Sequence, residues 1–154
     1  MQKPEAIGRI EFIALTASIM LLTAMAIDIM LPTFGEVRAY FGLDAESNAT
    51  ANIVTFFFLG QIGQLAFGPL ADRFGRIAVL RTGFALYISS CLVAALAPNL
   101  NLVLAARFVA GLGGAALSVS AITNIRDRFA GDQMARTLAL VLTIFLFVPI
   151  IAPL

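Results

Sequence analysis

The sequence predicts an all-α integral membrane protein, and three observations carry that reading. Of its 154 residues, 60% are hydrophobic and 12% charged, with a mean hydropathy of +0.96. A soluble domain is nearer half apolar and a quarter charged, so lipid is the expected solvent. The apolar residues fall in runs long enough for helices that cross a bilayer, about 20 residues each. Lysine and arginine concentrate in alternate connecting segments, the pattern that orients membrane helices.

Four complete spans are expected, at about 10–34, 51–70, 77–97 and 102–125, and most of a fifth at 137–154. Backbone in lipid must satisfy its own hydrogen bonds, so these read as helices. The alternating segments of about ten residues that mark a membrane β-barrel are missing. Lys3 and Arg9 precede the first run, and Ala24-Met25-Ala26 resembles a signal-peptidase site. The apolar run continues to Leu31 without a polar region, so the first span is expected to be retained.

Arg73, Arg76 and Arg81 follow the second span, and Arg126, Arg128 and Arg136 follow the fourth. The Gly35–Thr50 loop holds only Arg38 among Glu36, Asp44 and Glu46, and residues 98–101 hold no basic residue. Counting basic residues places the N-terminus in the cytoplasm and the Gly35–Thr50 loop outside. The apolar last residues lack a polar flank, so the chain reads as the front of a longer protein.

Composition narrows the chemistry. The one cysteine, Cys91, cannot make an internal disulfide and reads as a small apolar residue. Histidine is absent, so no catalytic residue and no metal site is expected. No basic stripe suggests nucleic acid. Gly111-Leu112-Gly113 follows no predicted strand and is poor evidence for a nucleotide site.

The informative residues are polar groups inside apolar spans. Asp28 lies in the first span and Arg107 in the fourth. An ionisable group there is costly and faces a cavity or a partner. Both sit roughly 8–9 Å below the outer surface by helical rise, so the two opposite charges can form an ion pair. It reads either as a proton-binding carboxylate beside a tuning cation or as a static pair locking two helices. Arg107, Gly111, Gly114 and Ser118 share one helical face. The glycines read first as close-packing positions. Span two carries Gly60, Gln61, Gly63 and Gln64, whose amides can line a cavity or bond across helices. Between spans two and three, Gly68-Pro69-Leu70-Ala71-Asp72-Arg73-Phe74-Gly75-Arg76 reads as a tight charged loop. Asp72 can be solvated there, pair with Arg73 or Arg76, or act as a latch on the positive N-terminal end of another helix.

That loop, G-x-L-A-D-R-x-G-R, resembles the one between helices two and three of the major facilitator superfamily. Asp28-Ile29-Met30-Leu31-Pro32 resembles the D-x-x-L-P ending of helix one in its drug:proton antiporters. The stretch from Arg107 to Ala116 resembles their fourth-helix motif. Asn124-Ile125-Arg126-Asp127-Arg128-Phe129 resembles the end of that helix in the bicyclomycin/chloramphenicol-resistance (Bcr/CflA) branch. Residues 148–154 resemble the fifth-helix motif, without its following glycine pair. Ala110 stands where many members carry glutamine, and Ile77 where they carry a basic residue.

The resemblance implies the N-terminal part of a two-lobed, 6+6 helix fold working by alternating access. Residues 1–154 would be an incomplete first lobe, with the C-terminal helices needed for function missing. It implies a proton-coupled antiporter exporting drugs or similar small lipophilic molecules from a bacterial cytoplasmic membrane. Such a protein is no enzyme and needs no cofactor; the proton gradient supplies its energy. Its partners would be a small-molecule substrate, protons and the lipid bilayer. By position, Asp28, Arg107, Gln64 and Gly111 would serve proton coupling and the substrate cavity. Gly68, Asp72, Arg73, Gly75 and Arg76 would form the gating loop. The alternatives are a non-transporting membrane scaffold or an inactive truncated product.

Overall fold

A computed structural model describes residues 8–44 and 48–146, with side chains to residue 144. The described residues form seven helices: α1 (Arg9–Asp28), α2 (Phe34–Phe41), α3 (Ala49–Gln61), α4 (Gln64–Phe74), α5 (Arg76–Ala95), α6 (Leu100–Arg128) and α7 (Gly131–Leu146). No strand occurs among the described residues. Among the described residues, four segments are long and apolar enough to cross a membrane: α1, α3 continued by α4, α5, and α6. The described part of the fifth expected span is α7, which starts at Gly131, ahead of the expected position. The motif at 148–154 lies outside the described residues.

The first span is shorter than its apolar run. Pro32 has no amide to bond the carbonyl of Asp28, and its ring crowds that carbonyl. The helix therefore stops at Asp28 and the chain turns through residues 29–33. It resumes as α2 within the segment expected to be a loop. Gly42, at φ 61°, closes α2 in the left-handed conformation that glycine adopts without strain.

The second span is one path in two pieces. At Ile62-Gly63 the backbone tightens to three-residue bonds: Ile62 N–H to Leu59 O at 3.3 Å and Gly63 N–H to Gly60 O at 3.0 Å. Beyond the break, α4 carries the polar motif as helix through Phe74. The expected loop at residues 68–76 thus reduces to one non-helical residue, Gly75. Its φ of 89° and ψ of 144° reverse the chain into α5. An L side chain rarely adopts that φ, which explains glycine there.

Helix α6 is the hub. Half of its apolar stretch is buried, against 17–22% for the other spans. Ala115, Ala116, Leu117, Ala121 and Ile125 are wholly buried. Its glycines admit three neighbours. A Cβ on Gly111 would collide with the Phe57 carbonyl of α3, and one on Gly60 with the Phe108 carbonyl. A Cβ on Gly113 would lie 2.7 Å from the Tyr87 nitrogen of α5, and one on Gly114 would lie 3.1 Å from Thr23 of α1. Close backbone approach gains dispersion contacts, the main attraction between helices where lipid removes the hydrophobic drive. Ala17, Met20, Ala121, Ile125, Phe129 and Val141 join α1, α6 and α7 near the arginine-rich end. Ile53, Ala97 and Val103 form a cluster at the opposite end, under α2. Several serine and threonine hydroxyls within the spans bond back to their own helices, as Thr16 donates to Phe12 O at 2.8 Å and Thr82 to Ala78 O at 2.7 Å.

Candidate functional site: a polar seam around helix α6

Arg107 lies two turns into α6 and reaches across to the end of α1. One terminal nitrogen donates to the Ala26 carbonyl at 3.3 Å, and the other to the Met30 sulfur at 3.0 Å. Its Nε is buried without a partner. Among the described residues no carboxylate lies within ion-pair distance of it. The Asp28–Arg107 pair that equal depth allows is therefore not formed. The reason is azimuth. The bonded carbonyl belongs to Ala26, two residues from Asp28 and about 200° around α1 from it, and Met30 lies in the turn past the helix end. Asp28 instead continues the stripe of Ala17, Met20 and Ala24 that the helix buries. It is half-buried and makes no hydrogen bond or ion pair among the described residues.

The remaining cavity candidates divide. Gln64 is exposed at the start of α4, and its amide donates to Gln61 Oε1 at 3.3 Å, within its own span rather than across to another helix. Gln61 is half-buried, and its amide nitrogen lies 3.5 Å from where a Gly114 Cβ would stand. Gly111 lies in the backbone contact with α3 and not on an open wall. Tyr87, unremarked in the sequence, bridges α5 to α1 by donating to Leu22 O at 3.1 Å. Hydropathy does not mark a tyrosine, so only helix phase could have found it.

At the arginine-rich end the motif residues also separate. Arg76 forms an ion pair with Asp127 of α6 and donates to Thr123 O at 2.6 Å. Asp127 was the missed partner; it is the acid set between Arg126 and Arg128. Asp72 is exposed, without an ion pair among the described residues, so the pairing with Arg73 or Arg76 is not formed. Arg73 lies over the Phe74 ring, 5.4 Å from its centre. Gly68 has open space around it. Nearby, Arg9 stacks over Phe129 and Arg128 over Phe12, and the two rings meet edge-on at 5.8 Å. These contacts tie the start of α1 to the end of α6.

Comparison with known proteins fits this frame of apolar helices with isolated polar groups. The chain is 30% identical to a bicyclomycin resistance protein homolog of Haemophilus influenzae, over 92% of this chain and 35% of the relative. It is 30% identical to a chloramphenicol resistance protein of Pseudomonas aeruginosa, over 87% of this chain and 32% of the relative. It is equally similar to the multidrug resistance protein MdtL of Shigella flexneri, over 93% and 36%. The chain thus spans about a third of the length of these relatives. The sequence profile of the Major Facilitator Superfamily matches residues 12–154, and the chain belongs to that superfamily.

Proposed function

We propose that the chain supplies first-lobe helices of a proton-coupled antiporter that exports drugs or similar small lipophilic molecules across a bacterial inner membrane, with its N-terminus in the cytoplasm. The observation that carries the reading is the state of Asp28. It is a half-buried carboxylate at the end of an apolar span, two residues along α1 from the Ala26 carbonyl that Arg107 holds, and without a bonding partner among the described residues. A carboxylate free of an arginine clamp can take up and release a proton, and its protonation removes a charge that is costly beside lipid. The resistance-protein names of the relatives support a drug as cargo. No enzymatic step and no cofactor is needed, because the proton gradient drives exchange.

Arg107 acts in this scheme as a positioning residue. By holding Ala26 and Met30 it fixes the turn after Asp28. The motif corner from Gly68 to Arg76, pinned to Asp127, leaves Asp72 and Arg73 exposed for contact with a second lobe during alternating access.

The test is drug uptake into everted membrane vesicles from bacteria expressing the full coding sequence. Asp28→Asn should reach the membrane in normal amount and lose uptake driven by a pH gradient, while exchange without a gradient persists. Gradient-driven uptake at the wild-type rate in Asp28→Asn would remove proton coupling through this residue.

A further inference from the structure

Arg107 is a half-buried cation inside a membrane span, and no acid faces it within ion-pair distance among the described residues. A guanidinium has five N–H donors. Two bonds are made here, one to a neutral carbonyl and one to a thioether sulfur, which is a weak acceptor. Unpaired charge at such a depth is costly and calls for an anion.

Arg107 also lines a cavity of about 770 Å³ at the end of the bundle opposite the arginine-rich one. That is the size of small-molecule sites in general. The cavity is walled by Cys91, Ala94 and Ala95 of α5 and Leu96 and Ala97 just past its end, by Met30 and Val103, and by one face of α2. The alanines and valines make most of this wall apolar. Its charged residues are Arg107, about 10 Å along α6 from Leu100, and Glu36, exposed on α2. An apolar wall with an unpaired cation set into it matches one chemistry: an apolar body ending in a carboxylate. Glu36 is open to water, where its charge is screened.

We infer that the cavity between α2, α5 and α6 is a binding site for a carboxylate-bearing amphiphile, with Arg107 receiving the carboxylate. This goes beyond the transport reading and does not depend on it. Such a ligand could come from water as a short-chain acid or from the bilayer as a free fatty acid. Both share the carboxylate and the apolar tail.

Cys91, the chain's one cysteine, lines the same cavity and serves as the reporter. The protein in nanodiscs is reacted with N-ethylmaleimide in the presence of octanoate, octanol or octylamine, and separately with oleate in the bilayer. Octanoate or oleate should slow labelling of Cys91 at least threefold, with octanol and octylamine having little effect. Protection by octanoate assigns an aqueous source, and protection by oleate alone assigns the bilayer. Arg107→Gln should abolish the protection and Arg107→Lys should keep part of it. If the glutamine variant does not fold, the lysine variant and the octanoate-to-octanol contrast in the wild type decide. Glu36→Gln, by removing a like charge, should leave protection equal or stronger. Equal protection by octanol would reduce the cavity to an apolar gap. No protection by either carboxylate, or loss of protection in Glu36→Gln, which would require a cationic end on the ligand, would overturn the assignment.

Discussion

Arg76, the first residue of α5, pairs with Asp127 near the end of α6, and the same guanidinium donates to Thr123 O. The pair joins two helices that already pack closely through Gly83 and Gly113. Its side chains are 27% and 53% exposed, so water screens it and its worth is at most about 1 kcal/mol. A double-mutant cycle with Arg76→Ala and Asp127→Ala, read by thermal unfolding in detergent, should give a coupling energy below that value. Coupling of several kcal/mol would mean that the corner is a buried electrostatic lock.

The glycines should sort by what surrounds them. Gly111→Ala puts a methyl into the Phe57 carbonyl. Backbone cannot yield as a side-chain tip can, so a loss of about 1–3 kcal/mol is expected. Gly35→Ala meets open space in α2 and should be neutral or gain up to about 1 kcal/mol, whereas Gly68→Ala sets a methyl against the ring of Pro69 inside α4 and forgoes that gain. Gly75→Ala should cost about 1–3 kcal/mol from its φ of 89° and ψ of 144° alone. Melting temperatures of the four variants would show the order. A Gly111→Ala protein as stable as Gly35→Ala would contradict the close contact between α3 and α6.

Orientation can be read with single cysteines in a Cys91→Ala background. Asn101 lies at the start of α6 and Asp132 at the start of α7, both exposed and at opposite ends of the bundle. In intact cells an impermeant maleimide should label position 101 and leave 132 unlabelled until the membrane is opened. The reverse pattern would place the arginine-rich end outside.

The existence of the spans was legible because a run of apolar residues has few other uses. Their ends were less so. Hydropathy carries through Leu31, whereas Pro32 acts back on the carbonyl of Asp28 and stops α1 three residues earlier. The motif from Gly68 to Phe74 reads as loop because it is polar, yet its backbone is helical to the end of α4. Depth could be read from helical rise, which is why Asp28 and Arg107 were matched. Azimuth could not, since it depends on how α1 is rotated against α6. The small residues of α6 announced close packing, but which helix each glycine admits depends on the assembled bundle.

The 154-residue chain by itself should not transport. It spans about a third of the length of its relatives, and carriers of two lobes bind substrate between them. Gln64 and Asp72 are exposed and Asp28 is half-buried without a partner among the described residues. Where such groups lie at membrane depth, lipid contact is costly. Self-association is the remaining way to cover them, so the purified chain should run as an oligomer in light scattering with chromatography. In liposomes with an imposed pH gradient it should move no cationic dye. Gradient-dependent dye movement that disappears in Asp28→Asn would show that copies of these helices can complete a working site between them, and would transfer the missing wall from a second lobe to a second copy of the chain.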